Sequence, residues 1–194
     1  MRRLIGICGG IGSGKSVVSR LLRLKGQTVY DCDYEARILM ESDAEIKCRI
    51  RDEISADVTD GEKAPDRRLL AEIVFSDEQA RLTLNSIVHG AVRADLIRKA
   101  AAFAGDRFFV ESALLAESGI ADLCDAVWRV EADTDVRLAA IMRRDGCDLR
   151  QARMRIRSQE AERMAIDRYS DRLSVIYNLD DNSLLRQIDN LLKY

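Results

Sequence analysis

The chain has 194 residues, a net charge of −2 at pH 7 and 47% hydrophobic residues. Its length suits one domain with a sizeable core and inserted subdomains, and its balanced charge argues against a general polyanion-binding surface, so no nucleic-acid partner is expected. Cys8, Cys32, Cys48, Cys124 and Cys147 are dispersed without a C-x-x-C pair, which speaks against a disulfide framework or zinc site and for a reducing compartment.

The first apolar run, Leu4 to Cys8, reads as a strand buried on both faces. It starts so early that it leaves no room for a leader. No apolar run approaches the roughly 18 residues that span a bilayer. A soluble, cytoplasmic protein without a membrane partner is expected.

Gly9-Gly10-Ile11-Gly12-Ser13-Gly14-Lys15-Ser16 follows and fits G-x-x-x-x-G-K-[ST]. Glycines are needed where backbone N–H groups must close around phosphate oxygens. Lys15 supplies a mobile cation for the outer phosphates, and the Ser16 hydroxyl is a hard-oxygen ligand suited to Mg²⁺. Val17, Val18, Leu21 and Leu22 then recur at helical spacing, with Gly26 as a helix stop. Strand, glycine loop and helix together imply binding of a nucleoside triphosphate, with the helix N-terminus aimed at the phosphates. Gly10, Ile11, Gly12, Ser13, Gly14, Lys15, Ser16 and Val17 are the expected nucleotide-binding positions.

Thr28 to Tyr30 reads as a second strand, ending in Asp31-Cys32-Asp33. Helical pattern follows from Tyr34 to about Ile50, broken near Ser42-Asp43. The stretch from Glu53 to Asp66 reads as irregular, and Arg67 to Phe103 as helical with a break near Ser76-Asp77. Further strands are expected at Phe108–Val110, Ala126–Val130 and Ser174–Tyr177. Further helices are expected from Asp133-Thr134 to Asp145, from Leu149 to Tyr169, and from Ser183 to Leu192. Strands alternating with helices imply an α/β fold with a mostly parallel sheet. The helical excursion between the second and third strands is too large for a simple crossover and reads as a substrate-binding insertion.

Ligands of an open parallel sheet bind outside the carboxyl ends of its strands. Asp31 and Asp33 lie at such an end, and extended backbone would point both to one side. Asp33 is favoured as general base, with N-capping as the competing role for either residue. Glu111, ending the third strand, is a third carboxylate for orienting metal-bound water or acceptor, with a structural role as the alternative.

Residues 137–172 carry many arginines and no lysine, and arginine suits planar, bidentate phosphate contacts. Arg144 and Arg155 are the expected phosphate contacts, the others being solvated helix faces. His89 and Arg93, one helical turn apart, are candidates to face the acceptor. Trp128 reads as core, and the cysteines as small buried hydrophobes.

Taken together, these residues resemble the dephospho-coenzyme A kinase family. The resemblance covers Ile7 to Ser16, Asp31-Cys32-Asp33 with Ala36-Arg37, and Val88-His89-Gly90 with Arg93. It continues through Leu114-Leu115, Arg144-Asp145-Gly146, Arg155-Ile156 with Gln159, and Val175-Ile176 with Asn178. It implies a P-loop NTPase-type three-layer fold: a core at 1–33, 106–136 and 172–194, a helical acceptor-binding insertion at about 34–105, and an arginine-rich helical lid at about 137–171. The implied reaction moves the γ-phosphate of ATP to the 3′-hydroxyl of the dephospho-coenzyme A ribose, with Mg²⁺ held by Ser16. Asp33 would be the base, Lys15 and Arg144 would stabilise the transferring group, and Arg155 would contact nucleotide. Asp31, Arg37, His89, Arg93 and Glu111 would bind the acceptor, in a monomer.

The chain departs from the family pattern at Val17, where a second hydroxyl is usual, at Gly90 in place of proline, and at Tyr177 in place of aspartate. Glu111-Ser112-Ala113 replaces an Asp-x-Pro run. The Gly90 and Ala113 changes bear on acceptor geometry more than on ATP. Another small-molecule or nucleotide kinase is the first alternative. A non-catalytic nucleotide-dependent binding module is the second, disfavoured by the intact Lys15 and Asp33, and no N-K-x-D guanine signature occurs.

Overall fold

The apolar run at the start of the chain forms β1 (Arg3–Cys8), and the glycine loop leads into α1 (Lys15–Leu24). The computed structural model describes residues 2–179 and 183–193. Helix α1 stops where the glycine signal places it. Gly26 adopts φ +76°, its N–H donates to Arg23 O, and the Gln27 N–H donates to Leu22 O. These two bonds satisfy carbonyls that the helix end would leave open.

β2 (Thr28–Asp31) is followed without a gap by α2 (Cys32–Ser42). The extended stretch expected over Asp31–Asp33 is therefore corrected: the backbone turns helical at Cys32, and Asp33 lies in the first turn of α2. Asp33 and Glu35 both sit in that turn, where negative charge meets the positive end of the helix dipole. Then come α3 (Ala44–Glu53), α4 (Arg67–Ser76) and α5 (Glu78–Ala102). Each begins at an aspartate whose carboxylate accepts two backbone amides: Asp43, Asp66 and Asp77 respectively.

The remaining elements are β3 (Arg107–Glu111), β4 (Ala126–Glu131), α6 (Thr134–Asp145), α7 (Leu149–Arg157), α8 (Glu160–Ile166), β5 (Leu173–Tyr177) and α9 (Leu184–Leu191). The single helix expected over residues 149–169 is two helices and a 3₁₀ turn at Asp167–Arg172. The break falls at Ser158-Gln159, where the Gln159 side chain is engaged elsewhere, as described below. Gly146 closes α6 in the left-handed region, at φ 62°.

The chain divides into two compact units, Met1–Asp31 with Phe103–Tyr194, and Cys32–Ala102. The first holds a five-stranded sheet of order β2-β3-β1-β4-β5, every pairing parallel. β1 is thus central, and the loop after it opens at the carboxyl edge where the sheet binds ligands. Ile5, Ile7, Val18, Leu22, Phe109, Trp128, Val130, Ile176 and Ile188 form its core. Trp128 is a core residue, meeting Phe109 edge to face at 5.2 Å. None of the five cysteines forms a disulfide. Burial pushes the Cys8 and Cys124 thiols up to about 12, which makes them inert packing groups.

The second unit has its own apolar centre of Ile46, Ile50, Val58, Leu70 and Ile87. The irregular stretch expected around residues 53–66 connects α3 to α4 there. Thr59 holds it in place, accepting from Gly61 N and donating to Lys63 O. Among the described residues no helix is long and apolar enough to cross a membrane.

Candidate active site

The glycine loop occupies residues 9–14, between the end of β1 and the start of α1. Ser13 N donates to Gly10 O at 3.1 Å, closing a tight turn. Gly12 has φ +78° and Gly14 φ +99°, a region costly for any residue with a Cβ. Space is short there too, against backbone at Gly12 and against a side-chain amide at Gly14. A Cβ on Gly12 would lie 2.8 Å from the Arg137 carbonyl oxygen, and one on Gly14 2.4 Å from Asn178 Nδ2. Glycine is therefore demanded by the loop's own packing as well as by the close approach of phosphate.

The Lys15 ammonium donates to the Gly9 carbonyl at 2.6 Å and the Gly10 carbonyl at 3.3 Å. Ser16 and Val17 are exposed in the first turn of α1. The Val17 N–H, expected to face phosphate, donates to Gly14 O at 2.9 Å.

Three further side chains grip the loop. Arg137 on α6 donates from Nε to the Ile11 carbonyl at 3.0 Å, and Gln159 Oε1 accepts the Ile11 N–H at 2.6 Å. Asn178, just past β5, donates from Nδ2 to the Ser13 carbonyl at 3.0 Å. Arg137 was legible only as one of many arginines. Gln159 and Asn178 stood in the family resemblance without a role. Arg144 and Arg155 are placed differently: both pair with Asp145, Arg144 Nε to Oδ1 at 2.7 Å and Arg155 to Oδ2.

Asp31 and Glu111 are register partners in the β2–β3 ladder, at the carboxyl ends of both strands. Glu111 is held above the ordinary carboxylate range by desolvation, and the negative charge of Asp31 adds to this. The Ser19 hydroxyl lies close enough to favour the carboxylate, though outside hydrogen-bond geometry, and Lys15 and Arg23 also pull downward.

In the second unit, Asp33 is exposed. Arg37 borders an apolar pocket of about 300 Å³ with Met40, Pro65, Leu70, Val74 and Leu84. His89 is half-buried and Arg93 exposed, on one face of α5 by their spacing. In the first unit, a cavity of about 250 Å³ adjoins the glycine loop. Gly9, Gly10 and Ser13 line it with Ala113, Arg137 and Gln159. Lys15, Ser16, Asp31 and Glu111 thus lie in the sheet unit, where Asp31 and Glu111 are register partners, and Asp33, Arg37, His89 and Arg93 lie in the helical unit.

The family model for dephospho-CoA kinase matches residues 3–178. A dephospho-CoA kinase of Porphyromonas gingivalis is 39% identical over 159 residues, 81% of this chain and 78% of the relative. One from Bacteroides fragilis is 35% identical over 192 residues, 98% of this chain and 91% of the relative. Among solved structures, the dephospho-CoA kinase of Campylobacter jejuni aligns with a TM-score of 0.69 at 25% identity, covering 100% of this chain and 96% of that one. A shikimate kinase from Acinetobacter baumannii, at 13% identity and a TM-score of 0.55, covers 100% of this chain and 92% of its own and shares the fold. The matched span runs from β1 through the glycine loop and the helical unit to Asn178, and on it the chain belongs to the dephospho-CoA kinase family.

Proposed function

We propose that the protein transfers the γ-phosphoryl group of ATP to the 3′-hydroxyl of the ribose of dephospho-coenzyme A, giving coenzyme A and ADP. The observation that carries this reading is a complete phosphate-binding loop on the central strand, in a chain matched along residues 3–178 by the dephospho-CoA kinase family. The amides of Gly12, Gly14, Lys15 and Ser16 would cradle the phosphates, those of Ile11, Ser13 and Val17 being donated to Gln159, Gly10 and Gly14, and Lys15 would leave the Gly9 and Gly10 carbonyls for the outer phosphate oxygens.

The donor set at the sheet edge fits Mg²⁺. The Ser16 hydroxyl and the Asp31 and Glu111 carboxylates are hard-oxygen ligands. Among the described residues no cluster of three or more His, Cys, Asp or Glu forms a full protein cage. Mg²⁺ keeps several waters and binds phosphate oxygens with few protein ligands. When bound, Mg²⁺ supplies charge neutralisation for the phosphates.

Asp33 would accept the proton of the acceptor hydroxyl, and the helical unit at residues 32–102 would hold the acceptor, with Arg37, His89 and Arg93 as its contacts. The arginine-rich segment at about 137–171 would act as a lid. Arg137 joins Arg144 and Arg155 as a candidate to meet phosphate, supported by its contact with the loop at Ile11. We assign the working form as a cytoplasmic monomer.

The test is to supply purified protein with Mg·ATP and dephospho-coenzyme A and to measure coenzyme A and ADP together. Nucleoside monophosphates and shikimate serve as parallel acceptors. Equal amounts of coenzyme A and ADP are expected. Turnover only with another acceptor would keep the kinase and overturn the substrate.

A further inference from the structure

Phosphoryl transfer by itself gives the apolar pocket of the helical unit no task. The pocket measures about 300 Å³ and lies wholly within that unit. Met40 on α2, Leu70, Ala71 and Val74 on α4, Leu84 on α5, and Pro65 just before α4 line it. Met40, Val74 and Leu84 pack against the unit's apolar centre and stay half-buried. One wall is held by backbone bonds: Asp66 N donates to Val58 O at 2.9 Å, and the Asp66 carboxylate caps α4. Pro65, buried beside that cap and restricted in φ, has little freedom to move.

Three exposed charged side chains border the pocket: Arg37, Glu41 and Arg67. Glu41 and Arg67 pair with each other. Among the described residues no carboxylate pairs with Arg37, so the rim carries an excess of positive charge. Arg37 follows Asp33 by one turn of α2, about 6 Å along the axis, and both are exposed.

Small-ligand sites span about 300–1,000 Å³, so this pocket suits part of a ligand, one in which an apolar group adjoins an anion. Dephospho-coenzyme A has that order. Its reacting hydroxyl and its diphosphate share one ribose, and the pantetheine arm beyond the diphosphate begins with a carbon bearing two methyl groups. Hydroxyl, diphosphate and dimethyl carbon succeed one another as do Asp33, Arg37 and the pocket. An adenine ring would leave its nitrogens unpaired against leucine and valine, which is costly.

We propose that this pocket is the subsite for the pantetheine arm, with the dimethyl carbon against Leu70, Val74 and Leu84 and the adjoining phosphate at Arg37. The inference rests on the acceptor reading above and deepens it: the arm is what this unit selects.

The probe is 4′-phosphopantetheine, the arm with one phosphate, in calorimetry without ATP. It should bind wild type and be displaced by dephospho-coenzyme A. ATP should not displace it. Ala71→Trp sends a large side chain into the pocket from an exposed helix position. It should weaken the probe, and raise KM for dephospho-coenzyme A, by about 10–100-fold, with the Kd for ATP within about twofold. Ala71→Leu should do the same more mildly, and serves if Trp does not fold. Arg37→Ala should weaken 4′-phosphopantetheine by about 10–100-fold and spare pantetheine without phosphate, whereas Ala71→Trp should weaken both. A wild type that does not bind the probe, displacement by ATP, or a folded Ala71→Trp that binds the probe as wild type does would overturn the proposal. Wild-type turnover of dephospho-coenzyme A, measured alongside, separates the two readings: probe binding that depends on Ala71, without such turnover, would sink the kinase reading and keep the pocket.

Discussion

Gln159 accepts the amide hydrogen of Ile11 at 2.6 Å, which joins the break between α7 and α8 to the glycine loop. Arg137 takes the carbonyl of the same residue, so both polar groups of one loop position are held from the arginine-rich segment. Each such bond contributes about 0.5–1.5 kcal/mol net. Gln159→Ala and Arg137→Ala should each weaken ATP binding about 2–10-fold in calorimetry without acceptor. Arg144→Ala, whose guanidinium lies on Asp145, should change ATP binding less than twofold under those conditions. Equal losses for Arg137 and Arg144 would remove the special standing of Arg137.

Asp33→Asn keeps size and removes the proton acceptor. Losing a general base costs about 10²–10⁴-fold in rate. Phosphoryl transfer followed by ADP release should fall by that much, with ATP binding retained. Near-normal turnover would pass the base assignment to Asp31 or Glu111.

Gly12→Ala should lose stability for two reasons in one atom. The backbone conformation itself disfavours a Cβ by about 1–2 kcal/mol, and the methyl group would lie 2.8 Å from the Arg137 carbonyl oxygen, which is backbone and cannot rotate away. A drop of about 2–8 °C in Tm is expected in thermal unfolding, with loss of ATP binding. Preserved binding would show that the loop and α6 separate easily.

Glu111 has its carboxyl pKa raised by desolvation and by Asp31. A raised folded-state pKa means that the fold prefers the protonated form. That contribution is full below the ordinary carboxylate range and is lost as pH rises through the raised value. Glu111→Gln should therefore be more stable than wild type near neutral pH, the gain vanishing in acid. It should also weaken apparent Mg²⁺ affinity in the assay by about 10–100-fold. A stability gain that persisted in acid would point to packing instead of charge.

Asp60 shows the opposite sign. Its carboxylate accepts the amides of Lys63 and Glu62, which lowers its pKa to about 2. Its contribution is present above the ordinary aspartate range and is lost as pH falls toward 2. Asp60→Ala should lower the Tm near neutral pH, with the two curves merging by about pH 2, as circular dichroism melts would show.

Strand, glycine loop and helix at the N-terminus could be read from residues because their periodicity and the loop chemistry are local. The helix start at Asp77 was legible for the same reason, since a cap acts on amides two and three residues away, whereas Asp43 showed only as a polar break and Asp66 as the end of an irregular stretch. The transition at Cys32 was not. Asp31-Cys32-Asp33 has no glycine or proline to mark where strand becomes helix, and two aspartates two apart suit either backbone. The break at Ser158-Gln159 was hidden because it depends on a partner, Ile11, 148 residues earlier. The arginines were the least legible. Composition shows that many lie between residues 137 and 172, but only three-dimensional packing separates Arg137, on the loop, from Arg144 and Arg155, on Asp145.

The Lys15 ammonium already rests on two carbonyl oxygens of its own loop. Nucleotide binding is therefore an exchange of partners for this lysine, with neutral oxygens given up for anionic ones. The number of hydrogen bonds around it need not rise, and what changes is the charge they meet. An uncharged mimic of the phosphate chain would find the lysine indifferent to it. Added salt, which screens charge but spares neutral hydrogen bonds, should weaken the nucleotide complex while leaving the folded loop intact.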